Sequence, residues 1–248
     1  MGALPIVKPQ VNSGLSLSRL LFVARLLVFY LIFIRGLNSI DIPFLPFLDF
    51  LDVLRDFQWV YPFIDFVYVI SILGVLLGIK FQKFSLILSL LIFFQILSSK
   101  GLYSTSFLYS GCMLFLIGLH RPGLDWIFRF QIAILYLGAG SNKLINTDWL
   151  SGQYFENFLL KVYPSSFNIA LANWLGVGFF TQMLSYSVIA TELLLGIWAI
   201  SARKQSELVI CIIAFHLSIL VFTIGKLSII YMYLMTVTSF LLFRRKKI

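Results

Sequence analysis

The chain has 248 residues, of which 60% are hydrophobic and only 12% charged, and its mean hydropathy is +0.97. Soluble domains sit near half apolar and a quarter charged. This composition therefore excludes an ordinary soluble protein and predicts an all-α, polytopic transmembrane helix bundle built from spans of about 20 apolar residues. The net charge of +9 does not mark a nucleic-acid binder, because the basic residues are dispersed between apolar runs, where they act as topology signals.

The first 17 residues are mixed, with Pro5, Lys8 and Pro9, and read as a short cytoplasmic segment with no cleavable signal peptide. Eight apolar runs follow, at about 18–36, 59–79, 84–99, 102–119, 125–142, 179–202, 207–224 and 227–243. The third is short for a full crossing. Only Gly225-Lys226 divides the last two, so seven spans is the alternative count. Residues 244–248 form a basic tail. Placing Lys8, Arg19, Lys80, Lys83, Arg121, Arg203, Lys204 and Arg244 to Lys247 inside leaves Arg35, Arg55, Lys100, Lys143, Lys161 and Lys226 outside. That distribution predicts both termini in the cytoplasm, and a single membrane domain over residues 1–248. Two outer loops are long. The loop 37–58 is rich in Pro, Phe and Asp, and the loop 143–178 holds two short amphipathic stretches, 154–161 and 168–175. Both loops predict interfacial or re-entrant helices that cap the outer end of the bundle. Cys112 and Cys211 lie in apolar runs without CxxC spacing and read as small buried hydrophobes.

Ionisable groups at membrane depth are costly and are functional candidates by default. Arg25 in the first run and Asp65 in the second are read as snorkelling or structural partners as readily as functional groups. Arg129, Tyr136 and Lys143 recur at intervals of seven, close to two helical turns, so they share one face of the fifth helix. That face is either a bundle-facing stripe or a polar line running to the outer mouth, where Lys143 is an anchor or a base. Glu192 is central in the sixth run and must be paired across helices or kept neutral. His216 is central in the seventh, either a hydrogen-bonded core histidine or a proton-transfer group. Lys226 reads first as an anchor. Gly138 and Gly140 allow close approach of a backbone or a flat ligand. No Cys/His/carboxylate grouping has metal spacing, and His120 and His216 lie at different levels, which argues against a haem.

Ala139-Gly-Ser-Asn-Lys143 followed by Asp148-Trp-Leu-Ser-Gly152 resembles the membrane domain of vitamin K-dependent gamma-glutamyl carboxylases, and equally the wider bacterial group named for a horizontally transferred transmembrane domain. His216-Leu217, Ile224-Gly-Lys-Leu-Ser228 and Glu192-Leu-Leu-Leu-Gly196 extend the resemblance. It implies Lys143 as the base that deprotonates a reduced quinone, with His216 and Glu192 as catalytic neighbours. It also implies a ligand-contacting set of Arg129, Tyr136, Gly140, Asn142, Asp148, Trp149 and Gly225. The implied cofactor is a quinol, menaquinone or vitamin K-like. The implied setting is the bacterial cytoplasmic membrane, with the lipid bilayer and membrane or peptide chains as partners. In the carboxylases the deprotonated quinol reacts with oxygen to give a strong base that removes a glutamate gamma-proton, and carbon dioxide adds. This chain departs in two ways. Asn142 stands where a second lysine is usual, and no large substrate-binding extramembrane domain lies within these residues. The alternative is therefore a non-catalytic membrane component, either for peptide or toxin maturation or export or as a scaffold subunit. The two readings differ in what they predict. The enzyme needs Lys143, Glu192 and His216 around one apolar cavity, and the scaffold needs none. A transporter would show inverted repeats or paired broken helices, and neither is found.

Overall fold

The computed structural model describes residues 15–37, 45–57, 59–102, 104–201 and 204–242. Among them every regular element is a helix and there is no strand. In chain order they are α1 Leu17–Arg35, a 3-10 helix Asp49–Asp56, α2 Val60–Leu77, α3 Phe81–Ser98, α4 Thr105–Leu119 and α5 Trp126–Leu144. Then come α6 Thr147–Leu150, α7 Gln153–Phe155, a π-helix Glu156–Val162, α8 Ser166–Leu175, α9 Val177–Ser201, α10 Gln205–Phe222 and α11 Ser228–Leu242. Each of the eight apolar runs holds one long helix. α3 starts three residues earlier than its hydropathy suggested and reaches 18 residues.

Length and composition separate these eight helices. Five of them, α1, α2, α3, α9 and α10, are long and apolar enough to cross a membrane. α4 and α11 have 15 residues each, about 22 Å of rise against a hydrocarbon core of about 30 Å. α5 has 19 residues but carries Arg129 and Lys143. Among the described residues, five of the eight predicted crossings meet this criterion. The surface has the character of a membrane protein. Phe29, Phe63, Leu194, Ile197 and Ile210 stand on the outside, in addition to a buried core of Leu27, Tyr68, Ile72, Leu88, Met113 and Phe128. An exterior this apolar is matched by lipid, not water.

Loop contacts sort the helix ends into two groups. His120 Nε2 lies 2.9 Å from Asp125 Oδ1, and Asp125 Oδ2 accepts from the Leu15 N–H at 3.1 Å. Gln82 Nε2 donates to the His120 carbonyl at 3.1 Å. The starts of α1 and α3 therefore meet the α4–α5 turn. At the opposite ends of α3 and α4, the Phe47 N–H donates to the Leu97 carbonyl at 2.8 Å and the Lys100 N–H to the Leu45 carbonyl at 2.7 Å. This lays the described part of the first long loop, with its 3-10 helix, over the end of α3. Lys8, Asp41, Arg203 and the 244–248 tail lie outside the described residues, and with them part of the charge argument for topology.

α5 and α9 form the tightest helix pair, antiparallel and in contact along most of α5. Glycine permits this. A Cβ on Gly140 would meet Leu193 Cδ2 at 2.9 Å, and one on Gly196 would meet Leu137 Cγ at 2.6 Å and the Leu137 backbone nitrogen at 3.0 Å. Small residues at such crossings replace the hydrophobic drive that lipid removes. α4 packs along α3 but only sparsely on α5, and α10 packs on α11 more than on α9. The helices α4, α5, α9, α10 and α11 consequently leave a space between them. The cysteines divide across this arrangement. Cys112 is half-buried on α4, whereas Cys211 is exposed on α10 and is not the buried hydrophobe its apolar run suggested.

Candidate functional site

The space between these helices is a cavity of about 950 Å³. Its walls are mostly apolar, with Ile134, Leu135, Leu184, Val188, Ile219 and Leu234 among them. Beside Gln131, Asn142, Thr191 and Thr223, three stations of polar groups stand on its wall.

The first station is Lys143, at the C-terminal end of α5, and Glu192, at the middle of α9. Lys143 Nζ donates to Glu192 Oε1 at 2.8 Å and to Oε2 at 2.7 Å, so one ammonium bridges both carboxylate oxygens. Both side chains are largely buried, at 16% and 10% exposure. The Gly140–Leu193 contact sets this register, because it seats Glu192 one helical turn before Lys143 along α5. The ammonium is further surrounded by the Ala139 carbonyl at 3.5 Å and by the Trp149 ring, whose centroid lies 5.0 Å away. The buried ammonium has a carboxylate in contact, which compensates its charge where water is excluded.

The second station is Tyr136 on α5 and His216 on α10. Tyr136 Oη and His216 Nε2 share a hydrogen bond of 2.8 Å, and both residues are 3% exposed. The third station lies on the α4 side, where Ser106 and Tyr109 line the wall. Behind them, Tyr30 donates to Ser106 Oγ at 2.6 Å and stacks on Tyr233 at 3.9 Å between centroids, and Tyr233 shares a 2.7 Å hydrogen bond with Ser110. These bonds tie α1, α4 and α11 together through hydroxyl groups.

The segment after α5 closes the Lys143 end of the cavity. Asn146 caps α6, its Oδ1 accepting from the Asp148 N–H at 2.9 Å. Gly152 then turns the chain at φ +78°, with α9 so close that a Cβ would lie 2.7 Å from the Gln182 nitrogen. This turn delivers a row of rings. Trp149 stacks on Tyr154 at 4.2 Å, Phe155 meets Trp149 edge-on at 5.2 Å, and Tyr154 lies parallel to Phe158 at 6.0 Å. All four rings line the cavity. Burial pushes the Tyr154 hydroxyl above the usual phenol range, so it is a neutral hydroxyl. Phe158 belongs to the π-helix, whose wider turn is a feature found mostly at functional positions.

The residues expected from sequence divide accordingly. Lys143, Glu192, His216, Tyr136, Asn142 and Trp149 line the one cavity. Arg129 does not: it lies one heptad before Tyr136, which turns it by about 20° and sets it about 10 Å below. Gly140 faces α9 instead of the cavity. Asp148 is exposed and contributes its backbone to the α6 cap, and Gly225 is exposed in the α10–α11 turn at φ +70°. Lys226 sits over the Tyr163 ring at 5.5 Å. Tyr154, Phe155 and Phe158 are cavity residues that sequence reading left out, although an aromatic every three or four positions in an amphipathic stretch was their signal. Tyr109 and Ser106 gave none, because nothing local in α4 says that it borders α5. No group of three metal-ligating side chains exists among the described residues.

No curated protein and no solved structure matches this chain. A family model described as HTTM domain does match it, over residues 124–246. The match takes in α5 through α11 and hence the Lys143–Glu192 and Tyr136–His216 pairs and the aromatic cap. Over that half the chain belongs to the HTTM family, the membrane-domain family of vitamin K-dependent carboxylases.

Proposed function

We propose that this protein binds a lipid-soluble molecule with a flat, hydroxyl-bearing head, a quinol of the menaquinone or vitamin K type, in the cavity beneath the aromatic cap. Lys143 handles its proton. The observation carrying this reading is that Lys143, Glu192, Tyr136 and His216 all line one mostly apolar space of about 950 Å³. Ligand sites have this size and this economy of polar groups. The donor set fits such a head: an ammonium and a Tyr–His pair to meet hydroxyl oxygens, rings to lie against its faces, and an aliphatic wall for its tail. A reduced quinone would supply the phenolic hydroxyl and the reducing equivalents. The protein's own residues orient it, exclude water and move its proton. Eight crossings, both termini in the cytoplasm and residence in a bacterial cytoplasmic membrane complete this reading. A carboxylase-like reaction is its strongest form.

A second reading has its own support. Lys143 is in contact with Glu192, the Ala139 carbonyl and the Trp149 ring, as a structural ion pair would be. Under it the protein is a membrane component of peptide maturation or export, or a scaffold subunit, and the cavity holds ordinary lipid. Titration of the purified chain in nanodiscs with 2-methyl-1,4-naphthohydroquinone, followed by tryptophan quenching, decides between them. Saturable binding that weakens at least tenfold in Lys143→Ala is expected. Quenching that is linear, or the same in Lys143→Ala, would leave only the structural reading.

A further inference from the structure

Resting on that reading, we propose that Glu192 is the final acceptor of the ligand's proton, with Lys143 as the relay and counter-charge. The argument starts from charge. Lys143 and Glu192 form a neutral unit with both carboxylate oxygens in contact with one Nζ, at 2.8 and 2.7 Å. The pair is largely buried, and among the described residues no other carboxylate lines the cavity. Of the groups in contact with Nζ, Glu192 is the one that can take this proton, so a neutral amine arises there without loss of a proton to water when the proton passes to Glu192. Release to bulk would instead leave an uncompensated negative charge in a low-dielectric site, which is strongly unfavourable.

The transfer balances within the site. Glu192 takes a proton from Nζ as one N–H bond breaks and an O–H bond forms on the carboxyl. Nζ takes the hydroxyl proton of the bound head as that O–H bond breaks and a new N–H bond forms. No electrons change owner. At the end Glu192 is a neutral acid, Lys143 is still an ammonium, and its charge faces the oxygen that gave up the proton. Net charge in the cavity is zero before and after. Trp149, with its ring face 5.0 Å from Nζ, supports the cation in both states. Lys143→Ala and Glu192→Gln should then separate: the first loses the counter-charge that holds the head, whereas the second loses the acceptor of the proton.

Infrared difference spectroscopy tests this on the full chain in nanodiscs, without oxygen, as 2-methyl-1,4-naphthohydroquinone is added. A protonated-carboxyl band gained on binding, lost in Glu192→Gln and displaced in Glu192→Asp, is the expected result. The Asp variant keeps the test open if Gln impairs folding. Tryptophan quenching on the same samples reports binding separately. Binding without a carboxyl band, or a band that survives unchanged in both variants, overturns Glu192 as acceptor and leaves the ligand reading standing. Absence of binding overturns both.

Discussion

Lys143 and Glu192 are worth more together than either is alone. A buried pair broken on one side strands the other charge, at a cost of about 3–5 kcal/mol. Lys143→Ala should therefore lower the thermal stability of the detergent-solubilised protein markedly. The double variant Lys143→Met, Glu192→Leu, of similar volume, should recover most of the loss. Additive losses in that cycle would mean that the 2.7 Å contact contributes little. Glycines give a second residue-scale comparison along the same helix. Gly138 has nothing within 4 Å of a built Cβ, whereas Gly140 has Leu193 at 2.9 Å. Gly138→Ala should be near neutral. Gly140→Val should cost about 1–3 kcal/mol through overpacking and should push Glu192 away from Lys143. Melting curves of the two variants check this directly.

At the scale of the element, the decisive feature is the chain between α5 and α9, which converts a helix end into a cap. Two of its ties are polar. Asn146 caps α6, and buried Asn168 at the start of α8 donates from Nδ2 to the Phe222 carbonyl at 2.9 Å, closing the exposed end of α10. Asn146→Ala should cost about 1 kcal/mol, and Asn168→Ala a similar amount. Their effects should appear as faster hydrogen exchange over residues 147–162 and 166–175 respectively, with α1 to α4 unchanged. Much of this was legible in the sequence. Hydropathy located the eight long helices, because a helix in lipid must be apolar over its length. The heptad from Tyr136 to Lys143 put two cavity residues on one face. The pairing of Lys143 with Glu192 was not legible. They are 49 residues apart in sequence, and only the glycine-mediated register of α5 on α9 decides which α9 residue meets the lysine. The π-helix Glu156–Val162 was hidden for a different reason: the sequence there reads only as a short amphipathic stretch.

On the scale of the whole molecule, the number of crossings turns on α4 and α5. α5 carries the site's lysine, yet it is absent from the five helices that are long and apolar enough on their own. Physical arguments still favour its crossing. It lies antiparallel against α9, a 25-residue apolar helix that does qualify. Its two cations need no lipid exposure, since Lys143 is paired internally and Arg129 lies near the end that carries the His120–Asp125 turn. α4 is short, but its serine cap and the buried Tyr30–Ser106 bond satisfy polar groups at its outer end. If both helices cross, Lys100 and Ser151 lie on one side and Arg121 on the other. All three are exposed, so single cysteines placed there, in a chain with Cys112→Ser and Cys211→Ser, can be probed with a membrane-impermeant maleimide. In intact spheroplasts Lys100→Cys and Ser151→Cys should label, and Arg121→Cys should label only after lysis. Labelling of Arg121→Cys and Ser151→Cys from the same side would make α5 a re-entrant helix. The Lys143 mouth and the α4–α5 turn would then share a face, and the cavity would open to water instead of lipid.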